Sequence, residues 1–351
     1  MQFERWTDDA EWAWKATIRP YPARDGKEYE WQASVPSLYR WFTNALPMDS
    51  RKLDVSIGKN PNGLDRFEGY VPPAMRNGMR LASIALYALM LGLLWLIAFR
   101  ILSSPTLAAL ALLPVAMSET FWNCVAWRTG PDALLCLMLV GTLAAWLWLS
   151  GWKQFVVVSV LAGLACASKQ NGILVLAAWC GWLVFTGRGS SRAWRPLVAI
   201  TVAATVFCLI NPATWSGPWR FLTESIRVRT LWAEAAATRY GKYGPHTWWQ
   251  LWTDALPVWP LVPFYGWLLW RCRREAWFGP VAWWGSCLAL GTLLTIPSPV
   301  TRYLAPLELG LYFPAMLAVL HILARVSRAT RPAASVDNAR PAGNAGATAA
   351  K

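Results

Sequence analysis

Leu81–Arg100 reads LASIALYALMLGLLWLIAFR, with no charge before the closing arginine. At ~1.5 Å per residue, a helix of this length crosses the ~30 Å hydrocarbon core of a bilayer. Eight more apolar stretches follow, and the spans they predict are 81–100, 105–120, 132–150, 154–168, 172–187, 196–211, 253–270, 277–297 and 303–324. The fold class is therefore an all-α polytopic membrane protein, a bundle of about nine transmembrane helices. The composition agrees, with 56% hydrophobic residues, 15% charged residues and 26 Trp in 351 residues.

The formal net charge is +14. In a soluble chain this would point to nucleic acid, but here the cations sit at helix ends, where they orient the protein and meet anionic headgroups. With the N-terminus outside, the inner connections carry eleven cations: Arg100, Lys153, Arg188, Arg192, Arg195, Arg271, Arg273, Arg274, Arg325, Arg328 and Arg331. The short outer connections carry three, Arg128, Lys169 and Arg302. The 212–252 loop adds Arg220, Arg227, Arg229, Arg239 and Lys242, for eight outside. The positive-inside rule thus places the C-terminus inside.

Three regions follow. Residues 1–80 form a polar, Trp-rich outer loop, 81–324 the bundle, including a second outer loop at 212–252, and 325–351 an Ala-, Pro- and Gly-rich disordered tail. Both outer loops are expected to contain amphipathic helices along the membrane surface. No signal peptide or earlier membrane helix precedes residues 1–80, so a further transmembrane helix is expected ahead of them. The seven cysteines lie in or beside spans with no CxxC, which suits core packing. There is no internal repeat of the kind common in secondary transporters.

Polar residues near a membrane cost free energy and therefore point to function. On the outer side stand Asp8, Asp9, Glu119, Arg128, Asp132, Lys169, His246 and Arg302. Carboxylates beside several cations suit group transfer from a phosphate-bearing lipid. The cations hold the leaving phosphate, and a carboxylate takes the proton of the attacking hydroxyl.

These residues fall in motifs that resemble the GT-C class of membrane glycosyltransferases, in particular relatives of dolichyl-phosphate-mannose protein mannosyltransferases and lipid A aminoarabinose transferases. Asp8-Asp9-Ala10-Glu11-Trp12-Ala13-Trp14-Lys15-Ala16 is similar to the family's D-E-x-x-Y-x-x-x-A, with Asp for Glu and Trp for Tyr. Val35-Pro36-Ser37-Leu38-Tyr39 resembles its Pro-Pro-Leu-Tyr, and Arg80-Leu81-Ala82-Ser83 supplies the Arg that begins its next helix. Arg128-Thr129-Gly130-Pro131-Asp132-Ala133-Leu134-Leu135 resembles Arg-x-Asp-Ala-Leu-Leu with two extra residues. Gly163-Leu164-Ala165-Cys166-Ala167-Ser168-Lys169-Gln170-Asn171-Gly172 resembles Gly-Leu-Ala-x-x-Thr-Lys-x-x-Gly, and Arg302-Tyr303-Leu304-Ala305-Pro306-Leu307 resembles Arg-Tyr-Leu-x-Pro-Leu.

The resemblance implies an inverting glycosyltransferase with a polyprenyl-phosphate sugar as donor. The acceptor hydroxyl belongs to a lipid, polysaccharide or protein at the outer face, and the expected location is a bacterial inner (plasma) membrane with the active site facing the periplasm or exterior. Asp8 or Asp9 is then the base, and Arg128, Asp132, Lys169, His246, Arg302 and Tyr303 contact substrate. No cofactor and no catalytic metal are expected, and no nucleic acid partner. Each residue also has an ordinary reading. Asp8 and Asp9 suit a solvated loop or N-cap, Lys169 a snorkelling helix end, Arg128 with Asp132 an ion pair four residues apart, His246 a surface position, and Arg302 a topological anchor. The competing functions are a flippase for lipid-linked saccharide and a non-catalytic envelope-assembly protein.

Overall fold

The structure, a computed structural model, describes residues 38–39, 41, 54–59, 65–126, 130–215, 217–227, 230, 261–295 and 304–329. Among them, each of the nine expected spans is a helix. They are α1 (Pro73–Leu102), α2 (Pro105–Ala116), α3 (Asp132–Trp148), α4 (Gly151–Ser168), α5 (Ile173–Thr186), α6 (Ser191–Ile210), α7 (Leu261–Cys272), α8 (Phe278–Thr295) and α9 (Ala305–Ala329). Four of these, α1, α4, α6 and α9, are long and apolar enough to cross a membrane. The helix starts follow local chemistry. Pro105 takes the first turn of α2, where its missing N–H costs nothing, and Ser104 caps that helix by accepting from the Leu107 backbone N–H at 3.3 Å.

The helices close into a ring. In order of packing it runs α1, α2, α9, α8, α5, α6, α4, α3 and back to α1, with α7 against α9. Half of these neighbours, α1–α2, α3–α4, α5–α6 and α8–α9, are also neighbours in sequence, and α9 comes back from the far end of the chain to seal the ring against α2. Its contact with α8 is made by glycines. A Cβ on Gly285 would lie 2.4 Å from the Gly310 carbonyl oxygen, and one on Gly310 would lie 2.5 Å from that of Gly285. Only backbones without side chains can come this close, which is how membrane helices gain packing energy when lipid offers no hydrophobic drive. The Trp179, Trp284, Phe121 and Phe313 side chains fill the core.

Short connections make successive helices antiparallel, so the bundle has two chemically distinct ends. At one end lie the starts of α1, α3, α5 and α9 and the finishes of α2, α4, α6 and α8. Contacts at that end join the finish of α4 to the start of α3, through Lys169 and Asp132, and the segment after α2 to the start of α9, through Thr120 and Glu308. The Trp41 indole N–H donates to the Ile210 carbonyl at 2.9 Å, tying the segment before the bundle to the finish of α6. The other end is the arginine end, with Arg100, Arg188, Arg192, Arg195, Arg271, Arg273 and Arg325. There Arg271 and Arg273 lie 5.7 Å and 4.4 Å from the Trp267 and Trp270 rings, the mixed aromatic and cationic chemistry of a membrane interface.

Two boundaries differ from expectation. The segment before the bundle contains an antiparallel hairpin, β1 (Asp54–Lys59) with β2 (Asp65–Tyr70), in which Asp54 faces Tyr70 and Lys59 faces Asp65. An amphipathic helix was expected in this loop. The run DVSIGK alternates polar and β-branched residues with period two, and Asn62-Gly63 follows in the sequence, so local periodicity favours a hairpin here. At the other extreme, α9 continues through Ala329, past the expected end at 324, because Arg325-Val326-Ser327-Arg328-Ala329 contains no helix breaker. In the second outer loop, 218–227 is helical and exposes Trp219, Leu222 and Ile226, as an amphipathic surface helix would.

Candidate functional site

Asp132 is the first residue of α3, and its carboxylate sits where the helix presents unpaired N–H groups and partial positive charge. Lys169 comes at the finish of α4, extended at φ −159° and ψ 150°, immediately before a 3₁₀ turn at Gln170–Gly172. That turn is tight. A Cβ on Gly172 would fall 2.1 Å from the Ala165 carbonyl carbon, so only glycine lets the chain double back here. The result is that the Lys169 ammonium meets the Asp132 carboxylate in an ion pair between α3 and α4, with side chains 18% and 12% exposed.

A second carboxylate lies at the same end. Glu308, in the first turn of α9, is 2% exposed. The Thr120 hydroxyl donates to Glu308 Oε1 at 2.6 Å, and the Ser118 hydroxyl donates to Oε2. Ser118 and Thr120 lead into a π-helical turn at Phe121–Ala126, and the Phe121 ring stacks on Tyr87 of α1 with centroids 6.1 Å apart.

A carboxylate in a low-dielectric interior costs several kcal/mol unless paired or hydrogen-bonded. Both carboxylates here meet that condition by different means, Asp132 through a cation and Glu308 through two hydroxyls. Arg76 and Arg80, in the first turns of α1, and Asn211, after α6, belong to the same end of the bundle. This end thus combines buried negative charge, cations and hydroxyl donors.

Sequence spacing sets Asp132 against Arg128, four residues earlier, and Lys169 against phosphate. The structure instead brings Asp132 and Lys169 together across two helices. Asp8, Asp9, Arg128, His246, Arg302 and Tyr303 lie outside the described residues. Glu308 was not singled out from the sequence. Its signal was there, a lone carboxylate within the apolar run 303–324, which is the kind of intramembrane charge that marks function.

Residues 75–215 match the family model described as dolichyl-phosphate-mannose-protein mannosyltransferase. No curated protein and no solved structure matches the chain. The matched stretch runs from the first turn of α1 to the turn after α6. It contains Ser118, Thr120, Asp132, Cys136 and Lys169, and Glu308 lies beyond it. The match supports a GT-C-like membrane glycosyltransferase.

Proposed function

We propose that this GT-C-like glycosyltransferase takes its sugar from a polyprenyl-phosphate carrier and passes it, with inversion, to an acceptor hydroxyl at the end of the bundle that holds Asp132, Lys169 and Glu308. The observation that carries the reading is the gathering of buried charge at that one end, within and beside the stretch that matches the mannosyltransferase family. A flippase would need charged groups near the bilayer midplane. The buried carboxylates instead sit in the first turns of α3 and α9.

The step balances simply. The acceptor oxygen attacks the anomeric carbon from the face opposite the phosphate, the new C–O bond forms as the sugar–phosphate bond breaks, and polyprenyl phosphate leaves with the electron pair. Asp8 or Asp9 takes the acceptor proton. Lys169 and Arg302 hold the phosphate as its charge grows. Pairing with Asp132 does not by itself prevent this, because an ammonium has three N–H donors. It fixes the Lys169 nitrogen before substrate arrives, so less side-chain entropy is lost on binding. A lipid-borne donor needs no nucleotide site, and the sequence has no GxxxxGK[ST] loop.

The test is transfer of mannose from a synthetic polyprenyl-phosphate mannose by the purified full chain in detergent. The expected product has an anomeric configuration opposite to that of the donor, read by NMR. Retention of configuration would require a covalent sugar–enzyme intermediate and would overturn the inverting step.

Topology is part of the proposal, with the carboxylate end on the outer, periplasmic face of a bacterial inner membrane and the arginine end in the cytoplasm. Single cysteines at 302 and 273 in a cysteine-free background are expected to react with a membrane-impermeant maleimide from outside and only after permeabilisation, respectively. Labelling of position 302 only from the cytoplasm would invert the assignment.

A further inference from the structure

Glu308 has a place in this site that the acid–base and phosphate-binding roles leave unfilled. It stands on the last helix of the ring, yet both its oxygens are held by residues just after α2. Ser118 is drawn in further, since its hydroxyl oxygen also accepts from the Phe121 backbone N–H at 3.4 Å, at the mouth of the π-helical turn. Such turns are costly relative to α-helix, and they persist where surrounding contacts hold them. The π-helical turn also packs against α3, the helix that starts at Asp132. Asp132 in turn holds Lys169.

The contacts therefore form a continuous series from α9 through Ser118 and Thr120 to the π-helical turn, then to the start of α3 and the finish of α4. Each carboxylate oxygen of Glu308 takes one hydroxyl, so a single side chain ties α9 to the Ser118–Thr120 segment at two points. We propose that Glu308 is a positioning residue. Its carboxylate clamps the Ser118–Thr120 segment to α9 and thereby sets where the Asp132–Lys169 pair stands relative to the donor phosphate. The catalytic part of this statement rests on the proposed transfer reaction, and the clamp itself does not.

Two readouts on the full chain in detergent separate them. The first is hydrogen–deuterium exchange over residues 118–126, and the second is kcat and KM with synthetic polyprenyl-phosphate mannose. The Ser118→Ala, Thr120→Val double variant leaves the carboxylate in place and removes both donors. It is expected to raise exchange in 118–126 about tenfold, as loss of local protection does, and to lower kcat about tenfold with KM little changed. Glu308→Ala should do the same. Glu308→Gln can accept from one hydroxyl through its carbonyl oxygen and donate its amide N–H to the other hydroxyl oxygen, so it should restore slow exchange and recover most of kcat.

If Glu308→Gln loses as much kcat as Glu308→Ala while exchange stays slow, the charge matters and not the clamp, and the proposal fails. It fails as well if the double variant leaves exchange and kcat unchanged. Complete absence of transfer by the parent protein would remove the proposed function, while the exchange measurement would still decide the clamp.

Discussion

Asp8→Asn is expected to reduce transfer by ~10²- to 10⁴-fold, the range that a positioned general base contributes. Asparagine keeps the size and hydrogen-bonding reach of aspartate but cannot take a proton at neutral pH. The loss should therefore fall on kcat, with KM for the lipid donor nearly unchanged, because the group acts on the acceptor hydroxyl in the transition state. Asp9→Asn gives the needed contrast. If Asp8 is the base, the Asp9 variant should keep far more activity, and if the ranking reverses the base is Asp9. The assay is turnover with synthetic polyprenyl-phosphate mannose at matched protein levels. A double Asp8→Asn, Asp9→Asn variant that turns over within about threefold of the parent would remove the acidic pair from the mechanism.

Lys169→Ala should be nearly as damaging, and for two separable reasons. The first is structural. Lys169 and Asp132 are mostly buried, and removing one member of a buried pair leaves an uncompensated charge, at a cost of about 3–5 kcal/mol, less whatever solvent reaches this partly exposed pair. The second is functional. Loss of one preorganised group that stabilises developing charge typically costs ~10²- to 10³-fold in kcat. A paired variant, Asp132→Asn with Lys169→Met, distinguishes these. Neutralising both sides removes the orphan charge, so thermal stability should return to near that of the parent, while transfer should stay at least ~100-fold down because nothing replaces the ammonium at the phosphate. Full activity in the paired variant would make the ion pair purely structural and leave Arg302 as the phosphate-binding cation.

The fold was largely readable in the chain because membrane insertion is a local transaction. Each of the nine helices must bury its own backbone hydrogen bonds and present apolar side chains over its own length, so length and hydropathy mark it without reference to any neighbour. The same holds for the cations, which gather at alternate helix ends for reasons that concern one connection at a time. The hairpin at 54–70 was also a local signal, carried by period-two alternation, and it was hidden by the expectation that the outer loop contains amphipathic helices.

The site was only half legible, and the residues show why. Asp132 and Lys169 stand out in sequence as charges at the ends of apolar runs, but their partnership spans two helices, and spacing alone pointed Asp132 toward Arg128. Glu308 was passed over inside a span because its justification is far away in the chain, with Ser118 and Thr120 about 190 residues earlier and supplied by a different helix–turn segment. What the sequence determined by itself, then, was which of the described segments in the bundle are helices and which of their ends are cationic. These depend on backbone satisfaction and transfer free energies that each segment settles for itself. What only the tertiary structure decided was that α9 returns to close the ring on α2, that Lys169 pairs with Asp132 and that Ser118 and Thr120 hold Glu308. A buried charge is tolerated only where a partner stands within a few ångströms, and which partner that is depends on helix packing that no single stretch of sequence contains.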